Sequence, residues 1–252
     1  ILSYTRRAVD DYGMIEDGDK IAVGISGGKD SLTLLYALAH LRIFYPKKFE
    51  LCAITIDMGF EGADFSAVSA LCEQLGVEYK IIPTQISKII FDVRKESNPC
   101  SLCAKMRRGA IHSSAVELGC NKVALGHHFD DVVETFMLNL FFEGRLGCFR
   151  PVTYLSRTGI TLIRPMIYMP EKDIRYFASK AELPIIKSPC PADGNTEREE
   201  MKQLIAKLDR ENKGLRYRIF GAIQRGEIDG FKECGKMDGM KAYDNDVLPY
   251  EE

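Results

Sequence analysis

The amino-acid sequence predicts an α/β protein in which helices cover both faces of a parallel sheet. An apolar run at residues 21–25 is interrupted by Gly27 and Gly28, and a helical stripe of leucines follows, so a strand, a tight turn and a helix are expected. Apolar runs and amphipathic segments then alternate along the chain, as they do in parallel sheets wound by crossover helices. Several amphipathic segments end at a glycine, which is typical of helix C-termini.

The elements follow in order from this alternation. Five strands are predicted, at residues 21–25, 51–56, 79–83, 122–125 and 162–164. Helices are predicted at residues 4–12, 32–41, 65–75, 86–95, 104–118, 170–181, 196–211 and 215–225, and a further long helix opens at the sequence GHHFDD and reaches residue 142. Residues 144–159 are glycine-rich and basic, and we expect a mobile loop there. The chain from residue 227 onward is poorly patterned, and we expect it to be partly disordered.

Composition excludes several classes of protein. The chain has 252 residues, of which 46% are hydrophobic and 28% charged, and its net charge is −2, so any nucleic acid must be bound by a local basic patch. No apolar run approaches the roughly 18 residues of a membrane span, and no signal peptide is found. Eight cysteines without the spacing of a small disulfide-bonded domain favour a reducing compartment, here the cytoplasm.

The turn after the first strand has the features of a phosphate site. Ser26-Gly27-Gly28-Lys29-Asp30-Ser31 combines two glycines, a cation, two hydroxyls and a helix N-terminus, whose backbone N–H groups attract anions. The spacing fits neither the Walker pattern nor the dinucleotide pattern. It resembles the PP-loop of ATP pyrophosphatases, which cleave ATP between the α and β phosphates. The alternative is a glycine turn with a solvated lysine.

Two more strand ends are expected at the same edge of the sheet, where ligands of such folds bind. Ile56, at the end of the second strand, is expected to contact adenine through its backbone. Gly126 and His127 open the sequence GHHFDD, in which Asp130 and Asp131 follow within one helical turn. Two carboxylates beside a triphosphate suggest a magnesium site. The alternative is that both acids cap the helix and complement its dipole.

The cysteines suggest a metal centre. Cys100 and Cys103 form a CxxC in a proline-led loop at a helix start, and Cys190 lies in a second loop between two prolines. Three thiolates suit a 4Fe–4S cluster that keeps one iron open to another ligand. Cys148 and Cys234 are weaker candidates for a fourth ligand. Three other cysteines, at apolar positions or beside a helix end, are expected in the core: Cys52, Cys72 and Cys120.

These motifs together resemble the tRNA 2-thiocytidine synthetase family. The matching segments are, in order, SGGKDS, CSLCAKMRRG, ALGHHFDD, RPM, PEKDI and the third cysteine after PII. The resemblance implies an ATP-dependent, iron–sulfur tRNA thiolase that places sulfur on C2 of a cytidine in the anticodon loop. It also implies an adenine-nucleotide α-hydrolase-like fold with strand order 3-2-1-4-5, and a homodimer.

By the same resemblance, residues 1–185 form a PP-loop ATP pyrophosphatase domain carrying the CxxC, and residues 186–252 form a C-terminal helical segment with the third cysteine. The cluster ligands would be Cys100, Cys103 and Cys190. ATP and Mg²⁺ would contact the following residues: Ser26, Gly27, Gly28, Lys29, Asp30, Ser31, Gly126, His127 and Asp130 or Asp131. The strand-end argument adds Ile56 to this set. We place Lys29, Asp30, Asp130 and Arg107 in the catalytic set, with a solvated helix face as the alternative for Arg107.

The partners implied are tRNA and a sulfur source, which is a cysteine desulfurase or free sulfide, and no membrane. Candidate phosphate contacts lie in the glycine-rich loop and near the C-terminus: Arg145, Arg150, Arg157, Lys202, Lys207, Arg210, Lys213, Arg216 and Arg218. Acidic residues between the C-terminal cations equally favour a solvated helix. Two other functions remain open: a PP-loop ligase of the tRNA lysidine synthetase type, and a sensor that binds a nucleotide and a cluster without catalysis.

Overall fold

The computed structural model describes residues 1–94, 99–186, 190 and 197–234. Its strands are β1 (Asp19–Ile25), β2 (Phe49–Asp57), β3 (Glu78–Pro83), β4 (Lys122–Ala124), β5 (Val152–Leu155) and β6 (Ile160–Ile163). Its helices are α1 (Leu2–Asp11), α2 (Lys29–Phe44), α3 (Ser66–Gln74), α4 (Ile86–Lys88), α5 (Pro99–Glu117), α6 (Phe129–Phe142), α7 (Glu171–Lys180), α8 (Glu197–Glu211) and α9 (Leu215–Arg225). The predicted alternation of strands and helices is confirmed.

The sheet has six strands in the order β3-β2-β1-β4-β6-β5. The first five of these are parallel, so the predicted order is confirmed with β6 as the fifth parallel strand. The count of five is wrong, because β5 pairs antiparallel with β6 within the segment that we expected to be a loop. The turn between them uses Gly159 at a φ of +71°. Four residues are too short for a period-2 pattern, so pairing with β6 rather than periodicity defines β5.

Alternate side chains of the central strands fill a core on each face of the sheet. Ile21, Val23 and Ile25 point into the larger core, which also holds the leucine stripe of α2, whereas Ala22 and Cys52 point into the smaller one. The predicted core cysteines Cys52, Cys72 and Cys120 are all buried.

Two helix boundaries differ from the predictions in ways that affect the site. Helix α5 begins at Pro99 rather than at residue 104, because proline is well suited to the first position of a helix. Cys100 and Cys103 therefore lie in the first two turns of this helix, not in a loop. The helix predicted at residues 86–95 is short, since α4 continues as a π-helical turn, Ile89–Arg94.

The predicted disorder after residue 227 is wrong for residues 227–234. A 3₁₀ turn, Ile228–Gly230, follows α9, and the Phe231 side chain is buried in the larger core. The rest of that predicted segment, residues 235–252, lies outside the described residues, as do the predicted helix ends at Lys95 and Thr196. No helix in the described part of the chain combines the length and apolar character needed to span a bilayer.

Candidate active site

The turn between β1 and α2 is held closed by its own hydroxyls. Ser31 Oγ donates to the Gly28 carbonyl at 3.0 Å and accepts from the Ser26 N–H at 3.2 Å. Gly27 has a φ of +83°, a backbone conformation that is strained for residues with a side chain. Gly28 follows as the N-cap of α2 and provides no side-chain hydrogen bond to the helix. The turn therefore presents backbone and the positive end of α2 to a ligand.

Lys29 is held by two carboxylates. Its Nζ lies 3.1 Å from Asp30 Oδ2 and 3.1 Å from Glu171 Oε1. Burial alone would lower the lysine pKa, but these carboxylates outweigh it and raise that pKa. Lys29 is therefore positively charged at neutral pH.

Glu171, which the sequence analysis missed, is the buried centre of this ion cluster. Besides Lys29 it pairs with Arg175 at 2.8 Å and with Lys202 at 2.9 Å. Burial opposes ionisation, yet the hydrogen bonds from Arg175, Lys202 and Lys29 lower the pKa of Glu171 to about 2. The Pro-Glu sequence at the start of α7 was the available signal, and it indicated only a helix N-terminus.

Gly126 lies directly against the phosphate turn. A Cβ at this position would be 3.2 Å from the backbone of Asp30 and Ser31, closer than most side chains tolerate. The glycine is thus needed for the approach of two backbone segments, a role that the sequence analysis did not assign to it. Nucleotide contact by Gly126 stays a prediction.

The two acids after Gly126 already have protein partners. Asp130 is buried, pairs with Arg216 and accepts the N–H of Glu171 at 2.7 Å. Asp131 forms a capping box with His128, whose N–H it accepts at 2.9 Å, and it lies 3.5 Å from Arg198. Capping, the alternative given above for these acids, is what Asp131 does here. A magnesium role for Asp130 or Asp131 stays a prediction.

The two histidines face in different directions. His127 packs its ring 4.8 Å from the ring of Phe149, and burial, with a smaller effect of Arg164, lowers its pKa to about 4. His128 Nε2 instead lies 3.7 Å from Asp30 Oδ1. The neighbour of the phosphate turn is therefore His128, which was not among the predicted site residues.

A cavity of about 460 Å³ opens beside the phosphate turn. It brings together seven of the predicted site residues: Ser26, Gly28, Ile56, Cys100, Cys103, Arg107 and Cys190. Its size lies in the range of small-molecule sites. The other eight predicted site residues do not line it: Gly27, Lys29, Asp30, Ser31, Gly126, His127, Asp130 and Asp131. Of these, Lys29 and Asp30 begin α2, immediately after Gly28 in its wall.

Two of the three thiols at this cavity affect the pKa of the third, Cys103. Burial raises the pKa of Cys103, the guanidinium of Arg107 counteracts this, and Cys190 and Cys100 raise that pKa further. Within the described residues, no three histidine, cysteine, aspartate or glutamate side chains are gathered as ligands of one metal ion. The thiols thus border one space without being drawn together.

Comparisons with known proteins agree with this arrangement. The PP-loop domain family matches residues 4–208. A tRNA-cytidine(32) 2-sulfurtransferase of Geobacter sulfurreducens is 41% identical over 86% of this chain and 86% of its own length. One of Pseudomonas putida is 40% identical over 86% and 80%. The chain belongs to the tRNA-cytidine(32) 2-sulfurtransferase family. The resemblance found in the sequence is confirmed.

Solved structures similar to this sulfurtransferase-family chain share its fold. The U34-tRNA thiolase NcsA of Methanococcus maripaludis, solved with its 4Fe–4S cluster, is 29% identical and has a TM-score of 0.73 over 88% of this chain and 77% of its own. An NH3-dependent NAD synthetase of Campylobacter jejuni, 15% identical, has a TM-score of 0.50 over 93% and 95%. The α/β fold with a mostly parallel sheet is thereby confirmed.

The cavity of this sulfurtransferase-family chain also has an aromatic wall that the sequence analysis missed. Phe60, Phe65 and Phe91 line it with Met58, and the rings of Phe60 and Phe91 are 6.2 Å apart. Met58 and Phe60 lie in a segment with no helical or strand period, and Phe65 and Phe91 lie in predicted helices, so nothing in the sequence marked these side chains as a cavity wall.

The candidate tRNA contacts differ in whether the fold already engages their side chains. Lys202 and Arg216 are engaged with Glu171 and Asp130, and Arg150 lies 4.0 Å from Asp229. Arg145, Arg157, Lys207 and Arg210 have exposed side chains. Lys213 and Arg218 contact each other at the start of α9, where Arg218 donates to the Lys213 carbonyl at 3.1 Å. The C-terminal cations are thus partly used within the fold.

Proposed function

We propose that this chain is an ATP-dependent tRNA sulfurtransferase that replaces the C2 oxygen of a cytidine in tRNA with sulfur. One observation carries the proposal: a single cavity is bordered by the phosphate turn at Ser26 and Gly28 and by the thiols of Cys100, Cys103 and Cys190. Activation of an oxygen by ATP and delivery of sulfur to the same carbon require these groups to share one space.

The first step activates the base. The C2 oxygen attacks the α-phosphorus of ATP, the bond to the β-phosphate oxygen breaks, and pyrophosphate leaves. Lys29, the N–H groups of the turn and the dipole of α2 stabilise the charge that develops on the pyrophosphate. Mg²⁺, held by Asp30 with Asp130 or Asp131, would share that charge.

The second step exchanges oxygen for sulfur. A sulfur nucleophile at the oxidation level of sulfide attacks C2, the bond from C2 to the adenylated oxygen breaks, and AMP leaves. No electrons are gained or lost overall. Arg107, exposed at the cavity and close enough to Cys103 to counteract the rise in its thiol pKa, is placed to attract the negatively charged adenylate.

The donor set of the cavity fits an iron–sulfur cluster. Cys100, Cys103 and Cys190 supply thiolates, the ligands that such clusters require, and three of them leave one iron open. When bound, a 4Fe–4S cluster would supply an iron at which sulfur can be held. The sulfur would come from a cysteine desulfurase or from free sulfide, and the chain would act as a homodimer in the cytoplasm, as the resemblance implies.

The test is the variant Cys190→Ala, purified without oxygen and reconstituted with iron and sulfide. We expect it to lose the visible absorbance of the cluster and the thiolation of tRNA. Cys148→Ala is the matched control, because Cys148 is half-buried but does not line the cavity. A Cys190→Ala protein with unchanged absorbance and activity would remove this thiol from the site.

The two other functions have their own signatures. A ligase of the lysidine synthetase type would need no iron. Full catalytic activity of the iron-free protein would therefore favour the ligase function. A sensor would bind nucleotide without turnover, so release of AMP and pyrophosphate on adding tRNA and sulfide would exclude it.

A further inference from the structure

Two lysines from distant parts of the chain meet at one carboxylate oxygen beside the phosphate turn. Lys29 Nζ lies 3.1 Å from Glu171 Oε1, and Lys202 Nζ lies 3.0 Å from the same atom. The two ammonium groups are therefore at most about 6 Å apart. Helix α8 thus places a second cation next to the lysine of the turn.

The accessibility of these three groups differs. The side chain of Glu171 is only 8% exposed, whereas those of Lys29 and Lys202 are 26% and 29% exposed. The carboxylate is therefore more deeply buried than the two lysine side chains, which remain partly accessible to solvent. Three cations, Lys29, Lys202 and Arg175, surround Glu171, and Lys29 also pairs with Asp30, so the two carboxylates do not neutralise all three cations.

Lys202 is not needed to attach α8 to the protein. Met201 and Ile205, on the same helix, are buried in the larger core and hold it there. An ammonium group has three donors in any direction, so Lys202 can bind a phosphate oxygen while it keeps a contact with Glu171.

We infer that Lys202 is a second phosphate-binding lysine, which contacts the pyrophosphate part of ATP together with Lys29. This inference rests on the proposed use of ATP. It makes the C-terminal segment part of the nucleotide site and assigns Glu171 as the positioning residue that holds both lysines toward the phosphates.

The test compares ligands with and without a pyrophosphate group. In calorimetric titrations with Mg²⁺ present, we expect Lys202→Met to weaken binding of α,β-methylene-ATP about ten-fold, as for the loss of one charge-assisted hydrogen bond. Binding of AMP should be unchanged. The matched control is Lys172→Met, which removes an exposed cation next to Glu171 and should affect neither ligand. Equal losses for both ligands, or no loss, would overturn the inference.

A second measurement needs no variant. In the wild-type protein, α,β-methylene-ATP should protect both Lys29 and Lys202 from acetylation, as quantified by mass spectrometry, whereas AMP should not protect Lys202. Protection of Lys29 without Lys202 would overturn the inference and leave the proposed function intact. A wild-type protein that binds no ATP analogue at all would instead contradict the proposed function.

Discussion

Two buried glutamates, Glu171 and Glu134, differ in how nearby cations compensate their negative charge. Glu171 has three cationic partners within 3.1 Å and is held ionised. Glu134, one turn after Asp130 and Asp131 on α6, is equally buried, but its cation Arg198 is 3.7 Å away. Burial, with Asp131, raises the pKa of Glu134 to about 7 although Lys202 and Arg198 oppose the shift. Neighbouring acids of one site are thus charged to different extents near neutral pH.

This difference predicts how stability depends on pH at Glu134. Because the pKa in the folded protein is above its usual 4.5, ionisation of Glu134 removes stability as pH rises from about 4.5 through about 7. We expect the free energy of unfolding of the Glu134→Gln variant to exceed that of the wild type by on the order of 1–3 kcal/mol at pH 8, and by less at pH 5. Urea unfolding at both pH values measures this. Glu200→Gln, on the exposed face of α8, is the control, and an identical effect at both pH values would refute the prediction.

At the residue scale, the sequence predicted groups whose role is local and missed groups whose role depends on distant partners. Ser31 closes its own turn, so the six-residue motif was enough to place it. Glu171 owes its ionisation to Arg175, one turn further along α7, and to Lys202 and Lys29, which lie far away in the chain and which no local pattern contains. The choice between His127 and His128 depends on the rotation of the chain into α6, which the sequence does not specify.

At the scale of elements, the site depends on how closely the turn after β4 approaches the start of α2. The sequence predicted both elements, since each has a clear apolar pattern and a glycine at its boundary. It did not predict that α5 starts at Pro99. The four residues around the two cysteines are too few to show a recognisable helical period. β5 was missed because its four residues are likewise too few to show a period, and its strand character comes from pairing with β6.

The approach of these two elements can be tested at Gly126. A Cβ there would meet the backbone of Asp30 and Ser31 at 3.2 Å, and backbone cannot rotate away as a side chain can. We expect Gly126→Ala to cost about 1–3 kcal/mol of unfolding free energy and to weaken ATP binding, since the phosphate turn must move. Urea unfolding and calorimetry measure the two effects.

Gly109→Ala is the matched control for Gly126→Ala. Gly109 lies inside α5 with open space around the position of a Cβ, so alanine should stabilise the helix by roughly 0.5–1 kcal/mol. If Gly126→Ala were as stable as the wild type, the close approach would not limit the fold.

At the scale of the whole molecule, a net charge of −2 must be reconciled with a polyanionic substrate. Lys202 and Arg216 are engaged with acids at the strand ends, so they contribute little to an outer basic surface. Helix α5 instead begins at the cavity and exposes Lys105 and Arg108 on its first turns. Its cations are thus close to the place where a base must react, and the phosphates that flank this base can reach them. The family resemblance implied the substrate class, but only the fold separates engaged cations from accessible ones.

We therefore expect the double variant Lys105→Ala/Arg108→Ala to weaken tRNA binding and to reduce its salt dependence. Each lost phosphate contact lowers the slope of log K against log salt by about 0.7–0.9, so the pair should lower it by about 1.5. Filter binding over a range of salt concentrations measures the slope, and calorimetry with the ATP analogue should show unchanged affinity. The matched control is Lys20→Ala/Lys48→Ala, which removes the same charge at the opposite, amino-terminal edge of the sheet. A general electrostatic effect depends on the total charge of the protein, whereas a phosphate contact depends on the position of the cation. Equal slopes of log K against log salt for the two double variants would therefore place the tRNA elsewhere on the surface.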